Sequence, residues 1–185
     1  NNPEDIKHVL VTHSDNFDKG PRLTSPKGKR LSGEGLLTSL GSAHLRQRKM
    51  MQPVFYRTSI KAFAETMTHG VEKRLARWKG GTELDIGDGM MALAQHNIIK
   101  TVFGPDFEDG SGELARAITT RKKYVEHVHF SLLPFSEYLP SKLRREYQQA
   151  RKRIDATITR EIDKRRAAPE PSHDMLSLLM HAKYD

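Results

Sequence analysis

The sequence predicts an all-α fold of about seven helices with almost no sheet. Apolar residues recur at steps of three and four through long segments, the period of a helix face. The breaks between those segments fall on Gly and Pro clusters, which punctuate helices. The 185 residues are 36% hydrophobic and 29% charged, enough for one domain with its own core and too apolar for a disordered tail.

The elements follow in chain order. Asn1–Gly20 opens with Pro3 in a helix-start context, with Ile6, Val9 and Leu10 at helical spacing before a stop at Asp15–Gly20. Pro21–Gly35 holds Pro21, Pro26, Gly28, Gly33 and Gly35 and is expected to be a long loop. Gly35-Leu36-Leu37-Thr38-Ser39 is an apolar turn that leads into a basic helix, His44-Leu45-Arg46-Gln47-Arg48-Lys49, with a break or kink at Pro53. Thr58 to about Lys79 carries Ile60, Phe63, Met67, Val71, Leu75 and Trp78 on one face and ends at Gly80-Gly81. Trp78 is expected as a core or rim anchor.

After an extended link, Asp88 can cap a helix with the stripe Met91, Ala94, Ile98 and Val102, stopped by Phe103-Gly104-Pro105. His96 and Asn97 within it are expected to be satisfied structural polar residues. Glu113–Phe130 is the next helix, with Tyr124, Val125, Val128 and Phe130 on its apolar side. Leu132–Pro140 is expected to be a loop. Ser141–Arg166 is the longest helix, with Leu143, Tyr147, Ile154, Ile158 and Ile162 at helical steps. Ala167–Pro171 is a linker, and Ser172 or Asp174 caps a last helix, Met175–Ala182, that buries Leu176, Leu178 and Leu179.

Several chemistries are excluded. There is no cysteine, hence no disulfide, thiolate metal site or cysteine nucleophile within these residues. No Gly-x-Gly-x-x-Gly, Walker A loop or His-Glu-x-x-His is present, and no paired carboxylates sit in an apolar setting. His127 and His129 stand about 200° apart around a helix and cannot share an ion, so no metal ligands are assigned. No apolar run is long enough to span a membrane. The net charge of +8 fits either an acidic partner or long helices coated with solvated cations. The same choice stands at Arg151-Lys152-Arg153 and Lys164-Arg165-Arg166: a nucleic-acid contact, or cations on a solvated helix whose C-terminal dipole favours them.

His44 and Arg48 are the candidate binding pair. Four residues apart, they share a helix face with Cβ atoms about 6 Å apart, and an arginine fork matches a carboxylate or phosphate. A solvated basic face contains such pairs too.

The stretch Gly35–Phe55 resembles the B–C loop and C helix of a cytochrome P450. The likeness rests on Gly35-Leu36-Leu37-Thr38-Ser39, on His44-x-x-x-Arg48 and on Gln52-Pro53-Val54-Phe55. The helix order continues it: Phe17-x-Lys19-Gly20 is similar to the end of the B helix, and the segment down to Thr101-Val102-Phe103-Gly104 to the E helix. The rest is similar to the F, G and H helices.

The resemblance implies a mainly α, partial cytochrome P450 fold, with residues 1–185 a single partial domain from the N-terminal portion. It implies that His44 and Arg48 hold the propionates of heme b (iron protoporphyrin IX). It makes Leu31, Leu36 and Leu37 candidate substrate contacts, Leu37 foremost; these leucines could equally pack the loop onto the core. Arg46 and Lys49 lie off the His44/Arg48 face and are assigned to the basic surface for a ferredoxin- or flavodoxin-type redox partner, served by its reductase.

The expected function is that of a haem-thiolate monooxygenase, which inserts one atom of O2 into an apolar small-molecule substrate. No nucleic acid or membrane span is expected, and a soluble, cytoplasmic bacterial type is favoured. The P450 iron is held by a cysteine thiolate, which this segment lacks, so catalytic residues are assigned to none of it and activity is expected only of an intact, longer chain. The alternative is a non-catalytic basic helical module that binds another protein or nucleic acid.

Overall fold

The computed structural model describes residues 2–81, 83–109, 112–131, 140–168 and 174–182. These contain nine α-helices and no strand. The chain divides into two compact units, Asn1–Lys49 and Met50–Asp185.

The first unit starts with α1 (Pro3–Lys7), where the Asn2 side chain accepts a hydrogen bond from the Glu4 N–H at 3.2 Å and Pro3 fills the first turn. The helix runs on as a π-helical turn at His8–Thr12 and a 3₁₀ turn at Ser14–Asn16. Ile6 and Leu10 are exposed, so their helical spacing is not a buried face.

Pro21–Gly35 is not the long loop its Gly and Pro content predicts. It holds two short helices, α2 (Pro21–Thr24) and α3 (Pro26–Ser32). Each begins on a proline, whose fixed φ suits the first helical position and whose missing N–H has no partner to lose there. The Ser25 hydroxyl accepts from the Gly28 N–H at 3.2 Å and caps α3. Gly28 is required by packing: a Cβ there would strike the Arg22 and Leu23 carbonyls of α2. These two helices raise the expected seven to nine. Most of α4 (Gly41–Met51) completes the unit.

In the second unit the Pro53 break takes the form of a 3₁₀ turn, Gln52–Phe55, in which Val54 is fully buried. α5 (Arg57–Leu75) stops short of the expected Lys79, because the chain tightens into three-residue bonds, Arg77 N–H to Arg74 O and Trp78 N–H to Leu75 O. Trp78 sits past the helix at the rim, 36% exposed.

α6 (Ile86–Phe103) is capped by Asp85, not Asp88: the Asp85 carboxylate accepts from the Asp88 N–H at 2.9 Å. Asp88 lies inside the first turn, where its charge suits the positive end of the helix dipole. The buried face of α6 also differs from the expected stripe. Ile99 and Phe103 are buried, whereas Met91, Ala94 and Ile98 are exposed. Adjacent isoleucines offer two apolar faces, and packing against neighbouring helices selects the one that carries Ile99. Asn97, expected to be satisfied, has a buried Oδ1 that no donor reaches among the described residues.

α7 (Glu113–Phe130) and α8 (Lys142–Ala167) run antiparallel. Tyr124 stacks on Tyr147 with ring centroids 4.3 Å apart, and Glu113 lies 3.7 Å from Arg153. Phe130, expected on the apolar side, is exposed. Ser141 caps α8 by accepting from the Arg144 N–H at 3.1 Å. The core joins Ile99, Phe103, Phe107 and Leu114 to Ile154 and Ile158 of α8 and Leu176 of α9 (Met175–His181). The leucines of α9 are half-buried; Asp174 and Ser177 are the buried residues there. The expected loop at Leu132–Pro140, apart from Pro140, lies outside the described residues, as do Ser172 and the linker residues 169–171.

The sharpest departure is Arg165, expected as one of several solvated cations at the end of α8. Its side chain is 11% exposed. Nη1 donates to the Glu161 carboxylate at 3.0 Å, Nη2 to Asp174 at 3.0 Å and to the Phe103 carbonyl at 2.6 Å, and Nε to Asp174 at 3.2 Å. Asp174 in turn accepts from the Ser177 N–H at 2.8 Å and so caps α9. Burial lowers the Arg165 pKa, but the bonds from Asp174 and Glu161 outweigh it and hold it above its ordinary value.

Arg165→Leu removes the guanidinium that the two buried carboxylates of Glu161 and Asp174 share and is expected to cost about 3–5 kcal/mol. Arg166→Ala, at an exposed pair 3.7 Å from Asp163, is expected to cost under about 0.5 kcal/mol. Urea unfolding midpoints of the two variants measure the difference.

Candidate functional site

The turn that precedes α4 is built around one hydroxyl. Thr38 is 1% exposed; its Oγ1 donates to the Gly33 carbonyl at 2.6 Å and accepts from the Gly35 N–H at 3.2 Å. The Thr38 and Ser39 N–H groups both reach the Gly35 carbonyl at 3.0 Å. From outside, Lys19 Nζ donates to the Leu36 carbonyl at 2.6 Å and the Ser39 carbonyl at 3.0 Å. The carbonyls of Gly33, Gly35, Leu36 and Ser39 therefore all have donors.

The turn is tied to α4 by Ser39, whose hydroxyl donates to Gln47 Oε1 at 3.0 Å. Gln47 lies beside Arg48 in the chain, so this bond fixes the rotation of the helix that carries the candidate pair. α4 is continuous from Gly41 to Met51, which places His44 and Arg48 one turn apart on one face. His44 is half-buried and Arg48 exposed. Neither side chain is engaged in a hydrogen bond or ion pair among the described residues. The pair is thus free to take an anion.

Arg46 and Lys49 are exposed on other faces of α4. The candidate apolar contacts separate by environment. Leu31 is buried at the end of α3, Leu36 is half-buried, and Leu37 is 61% exposed. Leu45, on the helix beside His44, is also exposed. The described residues contain no cluster of three side chains able to hold a metal ion. None of their helices is long and apolar enough to cross a membrane.

Two supports escaped the sequence reading. Lys19 is visible in the sequence only as part of Phe17-x-Lys19-Gly20, and nothing local shows that it reaches seventeen residues ahead. Gln47 looks like one more polar residue on a basic helix. The repeated hydroxyls Thr38-Ser39, placed between glycines and a helix start, are the signal that a polar network sits there.

Thr38→Val keeps the side-chain shape and removes the buried hydroxyl that bonds the Gly33 carbonyl and the Gly35 N–H. The expected cost is about 1–3 kcal/mol, with faster hydrogen exchange at the Gly35 N–H. Thr38→Ser, which keeps the hydroxyl, costs less than Thr38→Val. Urea unfolding and amide exchange by NMR check both.

A family model for cytochrome P450 matches residues 1–185. Among curated relatives, the chain is 28% identical over 183 residues to cyclooctat-9-en-7-ol 5-monooxygenase of Streptomyces melanosporofaciens, covering 98% of this chain and 39% of that protein. It is 28% identical over 188 residues to a cytokinin hydroxylase of Arabidopsis thaliana, covering 95% and 36%. Pentalenene oxygenase of Streptomyces avermitilis is 27% identical over 183 residues, covering 98% and 40%. The chain thus spans less than half the length of each. Bacterial and plant relatives match at similar levels, and the family model covers every residue: the chain belongs to the cytochrome P450 family, whose members are haem-containing monooxygenases.

Proposed function

We propose that the intact protein is a haem-thiolate monooxygenase that inserts one oxygen atom from O2 into an apolar organic substrate, and that this segment supplies its propionate-binding helix. The observation that carries the reading is the free His44/Arg48 pair on α4, held in register by Thr38, Lys19 and Gln47.

The residues present fit the carboxylate side of heme b. Arg48 brings a permanent cation with a planar fork, and His44 a ring nitrogen that can donate. A third helical position for the pair's ligand is not needed, since i and i+4 tips converge on one group. The residues do not supply the iron ligand, because the chain has no cysteine; the thiolate has to come from outside these 185 residues. When bound, the haem supplies oxygen activation.

The work left to this chain is orientation and exclusion of water. Leu36 and Leu37 border the turn ahead of α4, and the exposed Leu37 gives that turn an apolar surface to set against a substrate. Leu31 is buried at the end of α3. Arg46 and Lys49 keep their charges in solvent, where they suit an acidic ferredoxin- or flavodoxin-type partner, with docking that weakens as salt rises.

The nucleic-acid alternative loses its main support on α8. Arg151 lies 3.7 Å from Asp155, Arg153 3.7 Å from Glu113, and Arg165 is buried in its own network. Arg151, Arg153, Arg165 and Arg166, four of the six cations in the two clusters, lie beside carboxylates.

A charge-assisted bond to a propionate is worth about 1.5–3 kcal/mol, or about tenfold or more in affinity. Arg48→Ala is therefore expected to lower the haem affinity of the intact protein by about that factor, read by titrating the apoprotein with haem and following Soret absorbance. Arg46→Ala is expected to leave that affinity unchanged and to slow reduction by the redox partner. Equal haem affinity in Arg48→Ala and the parent protein would falsify the assignment.

A further inference from the structure

A cavity of about 590 Å³ opens in the second unit between the end of α5, the middle of α6 and the segment that leads into α7. Its walls are cationic from two sides. Lys73, Arg74 and Arg77 come from α5 and the turn just past it, and His96 and Lys100 from one face of α6. The α5–α6 hairpin is antiparallel, with Gly70 next to Asn97 and Arg74 next to Gly89, so the cations of α5 and those of α6 line the cavity from opposite ends. The dipole of α5 accounts for cations on its last turn. It does not account for His96 and Lys100, which lie away from the C-terminal end of α5, on another helix.

The carboxylates on the rim do not neutralise this set. Both oxygens of Asp109 are taken by the Leu114 and Ala115 N–H groups, at 2.8 and 3.1 Å, where they cap α7. Glu108 makes no ion pair with Lys73, Arg74 or Arg77, and no other carboxylate of the described residues does. Lys100 gives its ammonium to the Pro105 and Phe107 carbonyls, so it contributes charge to the cavity and leaves the gripping to others. The two arginines and Lys73 keep their donors available.

We propose that this cavity binds a phosphate-bearing ligand, gripped by the forks of Arg74 and Arg77 with Lys73 and His96 at its edge. Guanidinium forks match phosphate oxygens in pairs. The volume exceeds that of a single inorganic ion and falls in the range of small-molecule sites, which points to a phosphate ester or diphosphate. The same chemistry is offered by a free metabolite and by an anionic lipid headgroup.

The state of His96 agrees with this geometry. Burial first, then the charges of Lys100, Lys73, Arg77 and Arg74, lower its pKa from the ordinary 6.5. The groups facing it are those four cations, together with Glu108 and Asp109 on the segment into α7. In the free protein the neutral ring is favoured. The unfolded chain then takes up the proton first, and stability falls as pH drops below 6.5. An anion in the cavity offsets the charge of these cations, so it raises the His96 pKa and gives the ring a second donor.

The test uses the intact protein at low salt with inorganic pyrophosphate as the probe. Saturable binding by calorimetry is expected, weakened at least tenfold in Arg74→Gln/Arg77→Gln and unchanged in Arg151→Gln, which alters a cation on α8 outside the cavity lining. In the parent protein, with no substitution, the NMR titration of His96 is expected to move to higher pH when pyrophosphate is added. Absence of binding, equal binding by the double variant, or an unmoved His96 titration overturns the proposal. Cosedimentation with phosphatidylcholine vesicles that contain phosphatidic acid, dependent on Arg74 and Arg77, identifies a lipid headgroup. Pyrophosphate binding without cosedimentation identifies a free phosphate ester.

Discussion

The guanidinium of Arg165 is where the second unit closes. One planar group meets the last carbonyl of α6 at Phe103, a carboxylate of its own helix at Glu161, and the capping carboxylate of α9 at Asp174. Three helix ends are thereby fixed against one another. Gly104, at φ +92, ends α6 and leaves the Phe103 carbonyl open to Arg165. A buried ion pair of this kind contributes little net stability relative to well-packed apolar residues, because the desolvation cost is large. Its role is geometric: its bonds tie α6, α8 and α9 together beside the apolar core of Phe103, Phe107, Ile154, Ile158 and Leu176.

The first unit uses the same device on a smaller scale. Thr38 and Lys19 hold the carbonyls of a turn that would otherwise be poorly satisfied, and Ser39 carries the constraint into α4 through Gln47. The contrast between these residues and the candidate binding pair is informative. The supports are saturated with partners inside the protein, whereas His44 and Arg48 have none among the described residues. A helix whose orientation is fixed by its neighbours and whose cationic tips are left open is what an anion-positioning element requires. The cavity flanked by α5 and α6 repeats the pattern, with Arg74 and Arg77 left open beside an Asp109 that is fully engaged in capping.

The long helices were legible because their apolar periods run over many turns. Glu113–Phe130 is found with the expected bounds, and the longest helix, expected over Ser141–Arg166, runs one residue later with Ser141 as its cap. The short helices were not, because four to seven residues carry too little period to outweigh the Gly and Pro content of Pro21–Gly35. The face of α6 was misread because Ile98 and Ile99 are both apolar, and only the neighbours of the helix choose between them. Arg165 could not be told from Lys164 and Arg166 by sequence: three cations in a row look alike until the fold brings Asp174 and Phe103 to one of them. That His44 and Arg48 share a helix face was legible, because spacing alone sets it; the reach of Lys19 was not, because two short helices separate it from its partners.

The central claim is that His44 and Arg48 recognise the propionates of the haem. The most direct measurement is the affinity of the intact apoprotein for native haem and for haem dimethyl ester, in the parent protein and in His44→Ala/Arg48→Ala. Esterification removes the two negative charges and leaves the ring and iron unchanged. The account predicts that esterification weakens binding to the parent protein about tenfold or more and has little further effect once both side chains are gone. An equal penalty in the two proteins would contradict it, because the propionates would then be held by other residues.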